Sequence, residues 1–326
     1  MTGIIILNWN GYGDTIECLE SLYRMSSDFF VIVVDNGSTD GSVREISRFL
    51  GGSGISSRTL SRGCRLGRAP ENRECIVYDA GENMGFARGN NEGLRLLAGV
   101  MPDYMLLLNN DTIVEPDFLD RLTAFAVQDG GVEVMTPLIC YNADRGMIWN
   151  CGGRLSHGFR KYHYADARLD SLRSRESFGV SFVTGCALFF RPSVLRADGG
   201  VFTERFFFGE EDFNFCLRMA REGRRMACVP ESKIYHKVSA STAQHGSMGK
   251  IYIHYLNRFI DMRLNSRLWF YLPWSLANIM YVPLLLVRSG YGISASVRLL
   301  ARVVRDAWRK DSVSRADFTA ALSRRD

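Results

Sequence analysis

Two unbroken aliphatic runs, residues 4–7 and 30–34, flank a stretch in which Ile16, Leu19, Leu22 and Tyr23 recur at helical spacing. This alternation constrains the fold more than any other feature. A strand that is apolar at every position has no face to show to water, so it must be covered on both sides, as in a parallel sheet built from βαβ units. The rhythm continues: Asp14-Thr15 can cap the intervening helix, 42–50 reads as a second helix, 76–78 as a third strand, 90–97 as a helix and 104–108 as a fourth strand. The expected fold class is α/β, a mostly parallel central sheet flanked by helices.

Residues 51–73 break the rhythm with Gly, Ser and Arg58, Arg62, Arg65, Arg68 and Arg73. They read as a surface insertion, whose arginines either face water or touch phosphate. The α/β body is expected over 1–247 and a helical, aromatic and basic region over 248–326. The net charge is +5, with basic residues gathered in the insertion and the tail and no nucleic-acid recognition motif, so nucleic acid is not an expected partner. The 8 cysteines form no C-x-x-C pair, and reduced cytosolic thiols are the expectation. The first residues lack the basic and cleavage features of a signal peptide.

In the tail, Arg298, Arg302, Arg305 and Arg309 fall on one helical stripe, with Leu300, Val304, Ala307 and Trp308 across from them. Beside this lies an uncharged aromatic segment, 268–287, of membrane-spanning length but interrupted by Pro273, Asn278 and Pro283. Together they suit attachment to an anionic membrane surface; packing on the body and a true span are the other readings.

Three places carry chemistry. Asp35-Asn36-Gly37-Ser38 ends a buried strand, where open α/β sheets bind nucleotides; it is equally a good turn, and Asn8 and Asn10 at the end of the first strand shift the balance toward binding. Asn109-Asn110-Asp111 ends another strand. No P-loop or dinucleotide fingerprint is present, so a divalent cation on Asp111 is the device that would neutralise a diphosphate, a turn cap being the plain alternative. Phe206-Phe207-Phe208 precedes Glu210-Glu211-Asp212 at the start of a helix expected over 213–222. Acidic residues there favour the helix dipole, and aromatic shielding also raises a carboxylate toward general-base work. His236 is a candidate metal ligand or a structural histidine.

Taken together, Ile6-Leu7-Asn8-Trp9-Asn10, Val34 to Asp40, Asn83 to Asn91, Leu108 to Asp111, Gly209 to Asp212 and Tyr235-His236 stand in the order seen in family 2 glycosyltransferases of the GT-A fold. The chain resembles that family over roughly residues 3–241, and most of all its rhamnosyltransferase-like branch, which builds bacterial O-antigen and cell-wall polysaccharides. The resemblance implies an inverting transferase that moves a sugar from a nucleotide-diphosphate donor, with L-rhamnose from dTDP-rhamnose the first expectation. A UDP-hexose or galactofuranose transferase, and a noncatalytic nucleotide-sugar-binding subunit, are the alternatives. A nucleotidyltransferase would need a basic Gly-rich loop after the first strand, and 8–13 lacks it.

The resemblance also implies roles. Asp35 would read the nucleobase, with Asn8, Asn10 and Ser38 nearby; Asn83, Gly85, Asn90 and Asn110 would line the diphosphate-sugar side. Asp111 and His236 would hold Mg²⁺ or Mn²⁺, although Asn109 stands where the family's D-x-D motif has its first carboxylate. Asp212 would be the catalytic base with Glu211 supporting, and Gly185, Cys186 and Glu210 would border the acceptor. Phe206 to Phe208 would offer an apolar wall to a deoxy sugar, contact a lipid-linked acceptor, or serve only the core. The expected acceptor is polyprenyl-diphosphate-linked, and the expected location is the inner face of the cell membrane.

Overall fold

The computed structural model describes residues 1–156, 158–172, 174–238 and 248–323. The expected domain boundary at 247 falls among 239–247, outside the described residues.

The first half runs β1 (Thr2–Asn8), α1 (Tyr12–Tyr23), β2 (Phe29–Asp35), α2 (Ser42–Gly52), β3 (Ser57–Ser61), β4 (Cys75–Asp79), α3 (Phe86–Leu96) and β5 (Tyr104–Asn109). Next come β6 (Thr112–Val114), α4 (Phe118–Gln128), β7 (Val132–Tyr141), β8 (Ile148–Asn150), β9 (Gly153–Ser156), β10 (Phe159–Tyr162), β11 (Phe178–Val180) and β12 (Ala187–Phe190). The last elements are α5 (Glu211–Arg221), β13 (Arg225–His236), α6 (Met248–Asn265), α7 (Leu268–Arg288), α8 (Ile293–Arg309) and α9 (Arg315–Ser323).

One sheet has the order β11-β13-β7-β12-β5-β1-β2-β4-β3, with β6 on β13 and β8 on β7. From β3 to β5 all neighbours are parallel; β12 then runs antiparallel to both β5 and β7. The aliphatic runs are buried on both faces, as their lack of alternation requires. Ile4, Ile6, Val31 and Val33 pack with Leu19, Ile46 and Leu122 of α1, α2 and α4, while Ile5, Ile32 and Val34 pack with Leu94 and Met219 of α3 and α5. The parallel strands therefore all end at one edge of the molecule, and the polar turns that follow them meet there.

Several expectations shift in detail. The first helix is entered at Gly11, so Asp14 lies in its first turn rather than capping it. The insertion is not wholly irregular: it holds the edge strand β3, and its arginines find partners. Arg58 and Arg68 converge on buried Glu74, Arg62 pairs with Glu82, and Arg73 donates to the carbonyls of Tyr23 and Met25. A phosphate is not needed to explain those four.

The tail folds back on the body. Leu256, Phe259 and Ile260 of α6, Tyr271 and Trp274 of α7 and Val303 of α8 form one core with Phe206 and Phe213. The buried face of α8 is Leu299, Leu300, Val303 and Ala307, whereas Trp308, expected on the apolar side, is exposed. Pro273 and Pro283 lie inside α7 without interrupting it. That helix is long and apolar enough to cross a membrane by length and composition. It buries Tyr271, Trp274, Asn278, Val282 and Leu286 and exposes the other face.

Candidate active site

At the C-terminal end of β1, Asn8 is fully buried and polar on both sides of its amide. Its Nδ2 donates to Asp35 Oδ2 at 2.7 Å and to Ser38 Oγ at 3.2 Å, and its Oδ1 accepts from Thr15 Oγ1 at 2.8 Å. Asp35 also accepts from the Ser38 amide at 2.9 Å, and the exposed Asn10 clips the same turn by accepting from the Thr39 amide at 2.7 Å. The adjacent Asn36 donates to Asn83 Oδ1 and to the Gly85 carbonyl, both at 3.2 Å, and accepts from the Met84 amide at 2.9 Å. The sequence reading missed Asn36 and Thr15 as organisers, although Asn36 stands inside the quoted turn. Gly85 has φ +86° and abuts the Phe207 carbonyl, a space that any Cβ would fill. Asn90 is buried, but its Nδ2 donates to Phe86 O within its own helix, so it braces α3.

The β5 end brings the second group. Asn110 donates to Thr15 Oγ1 at 3.1 Å, which ties it to the Asn8 network. Asp111 Oδ1 lies 3.1 Å from His236 Nε2, and the Lys237 amide donates to the Asp111 carbonyl at 2.9 Å. Residues far apart in the chain are thus side by side because β6 pairs antiparallel with the end of β13. The His236 ring stands edge-on to Trp149 at 4.5 Å, and its Nδ1 is buried without a hydrogen-bond partner.

Among the described residues no cluster of three or more His, Cys, Asp or Glu is arranged to hold a metal ion. Asp111 and His236 fit an ion that takes its remaining ligands from diphosphate oxygens and water, the usual habit of Mg²⁺ at substrate phosphates.

The third group opens α5. Asp212 is half-buried; it accepts from the Gly185 amide at 2.9 Å and from Thr184 Oγ1 at 3.2 Å. A Cβ on Gly185 would sit 2.8 Å from Asp212 Oδ1, so glycine is what lets the carboxylate approach this backbone. The carbonyl of Cys186, next in the chain, accepts from the Asn109 amide at 2.9 Å. Its thiol is pushed well up by burial and by the charges of both Asp111 and Asp212. The 184–186 segment is therefore a short floor with the β5 carboxylate at one end and the α5 carboxylate at the other.

Burial, then the charge of Asp212, raises Glu211 from 4.5 to about 8, and its Oε2 has no partner. Burial likewise raises Asp212. Arg160 of β10, also absent from the sequence reading, opposes that rise with its positive charge.

Glu210, expected to border the acceptor, precedes the first turn of α5. It sits at φ +74°, a left-handed conformation that costs a non-glycine residue about 1 kcal/mol. Its carboxylate is buried in an ion pair with Arg258 of α6, whose guanidinium also lies 3.6 Å from the Phe213 ring centroid. Asn257 donates to the Phe208 carbonyl at 3.0 Å. The C-terminal helices thereby latch the turn that presents Glu211 and Asp212, a role the sequence signalled only faintly in Leu256-Asn257-Arg258. The aromatic trio is largely taken up by the same packing: Phe206 is buried among these helices, and Phe207 and Phe208 meet the Phe318 ring of α9 at a tilt and edge-on. Phe207 alone reaches the Gly85 turn, through its carbonyl.

Helices on both faces of a central, largely parallel sheet, with polar turns gathered at the strand ends, match the GT-A glycosyltransferase fold. Solved structures bear out the architecture. Mannosyltransferase PcManGT from Pyrobaculum calidifontis, in complex with GDP-Man and Mn²⁺, is similar with a TM-score of 0.57 at 15% identity, over 99% of this chain and 78% of that one. GalNAc-T7 with UDP, GalNAc and Mn²⁺ gives 0.59 at 11% identity, over 99% and 56%. S. aureus TarS 1-349 gives 0.51 at 16% identity, over 82% and 66%. No curated protein matches. The model of the glycosyltransferase-like family 2 matches residues 4–253, and the chain belongs to that family.

Proposed function

We propose that the chain transfers a sugar from a nucleotide-diphosphate donor to a hydroxyl of a saccharide acceptor, with inversion at the anomeric carbon. The observation that carries this reading is the 184–186 floor, which joins Asp212 to the Asn109–Asp111 turn. Displacement needs the leaving diphosphate stabilised on one side of the anomeric carbon and the attacking hydroxyl deprotonated on the other. Asp35 with Asn8 and Ser38 would seat the base and ribose. Asp111 and His236 would hold Mg²⁺ or Mn²⁺, which when bound neutralises charge on the diphosphate. Asp212 would accept the proton of the acceptor hydroxyl, its basicity lifted by burial.

L-Rhamnose from dTDP-rhamnose is the first donor to test, with UDP-hexose and UDP-galactofuranose next. The acceptor is read as lipid-linked and the protein as peripheral on the cytoplasmic face of the membrane. This is supported by α7, on which Leu268, Leu272, Leu276, Met280 and Leu284 are exposed at every fourth residue, with Arg267 and Arg288 at the ends.

The test is a thermal-shift screen of dTDP-, UDP- and GDP-sugars with and without Mn²⁺, followed by product mass spectrometry. Stabilisation by one donor that strengthens with Mn²⁺, with transfer to a polyprenyl-diphosphate saccharide, is the expected outcome; indifference to every nucleotide sugar would remove the reading.

A further inference from the structure

The β9–β10 hairpin carries three cations, Arg154, Arg160 and Lys161. Arg154 stands directly opposite Lys161 in the antiparallel pairing, so both side chains leave one face of the ribbon, where like charges repel. The other face carries Leu155 and Tyr162, packed into the body, and Arg160, which pairs with Leu155 yet remains exposed. Among the described residues none of these three cations makes an ion pair.

Arg160 is placed at the cleft. Its guanidinium lies 5.5 Å from the Phe182 ring centroid and 5.6 Å from that of Tyr162, and its charge is felt at Asp212, Glu211 and His254. Asp111, where the donor diphosphate is read to sit, is at the other end of the 184–186 floor. The tip of the hairpin meets the C-terminal helices: the Gly158 carbonyl accepts from Arg258 at 2.9 Å, and a Cβ on Gly158 would lie 2.5 Å from the Trp274 indole nitrogen. Trp274 belongs to α7, whose opposite face is the exposed apolar stripe. Arg160 thus stands on a hairpin that meets α7 at its tip and Phe182, two residues before the 184–186 floor, along β10.

We propose that β10 carries the phosphate-binding element of the acceptor site: Arg160 holds the diphosphate of a lipid-linked saccharide while its hydroxyl meets Asp212. The proposal rests on the reading of the acceptor as lipid-linked. Its chemistry is ordinary: a guanidinium offers paired donors to phosphate oxygens.

Farnesyl diphosphate and farnesol serve as soluble probes, titrated calorimetrically into the full chain. The diphosphate is expected to bind the unmodified protein at least about tenfold more tightly than the alcohol. Arg160→Ala removes that advantage, Arg160→Lys restores part of it, Arg154→Ala with Lys161→Ala on the opposite face leaves it in place, and farnesol binding stays unchanged throughout. Equal binding of the two probes by the unmodified protein overturns the proposal. So does an Arg160→Ala variant that loses UDP or dTDP binding to the same degree, since the cation would then serve the donor. If a nucleotide sugar binds and farnesyl diphosphate does not, the hairpin assignment falls while the transferase reading stands. If farnesyl diphosphate binds with Arg160 dependence and no nucleotide does, the hairpin site stands and the donor reading falls.

Discussion

The two ends of the cleft are built on opposite principles. At the nucleotide end, Asn8, Asp35, Ser38, Asn36 and Asn83 satisfy one another in a closed network. At the other end and in the groups around it, Glu211 Oε2, Asp261 Oδ2 and His236 Nδ1 are buried with no partner, and burial pushes Glu211 up to about 8 and Asp261 up to about 7. A buried polar group without a partner costs stability. The first end is a rigid template; the second stores reactivity and is steadied from outside by the latch from α6.

Removing the latch should have the largest effect on stability. Arg258→Met leaves the Glu210 carboxylate buried and uncompensated, a loss of about 3–5 kcal/mol in chemical denaturation, and the Glu210→Gln, Arg258→Met double variant should recover much of it. On the template side, Asn36→Ala strips the Met84 amide of its acceptor and should cost about 1–3 kcal/mol, while leaving the pH dependence of stability unchanged.

The catalytic end should show the reverse behaviour. Glu211 titrates at about 8 against 4.5 ordinarily, and Asp261 at about 7 against 3.8. Both values are raised, so the stability these groups contribute is intact below the ordinary values and is lost as pH climbs toward 7 and 8. Glu211→Gln should flatten that decline in thermal melts between pH 5 and 8, an interval on the order of the shift between its two states. It should also move the acid limb of kcat/KM to lower pH, because the carboxyls of Glu211 and Asp212 titrate as a pair. The smallest effect belongs to the exposed stripe: Leu276→Glu should change stability by no more than about 0.5 kcal/mol yet reduce flotation with anionic vesicles.

How much of this was legible in the sequence follows the same division. The parallel sheet and the turns at Asp35 and Asp111 were readable because buried strands advertise themselves as unbroken aliphatic runs and the polar residue that ends each one stands out. The edge strand β3 was not, since its alternating exposure and its Arg- and Ser-rich text look like loop until Glu74 is seen to gather the arginines. The meeting of Asp111 with His236 depends on strand pairing across more than a hundred residues, and only the family resemblance suggested it. The latch was hidden for another reason: Arg258 and Glu210 look like ordinary surface charges in a string, and burial alone gives them meaning. The aromatic trio was ambiguous, because clustered phenylalanines serve a core as readily as a sugar.

The central claim is that carboxylates at the two ends of one floor divide the work of transfer. The most direct measurement compares Asp212→Asn with the unmodified protein for donor binding, by calorimetry in Mn²⁺, and for transfer under the same conditions. Transfer should fall by about two to four orders of magnitude with donor affinity unchanged. Near-normal turnover in Asp212→Asn, or a parallel collapse of donor binding, would contradict it.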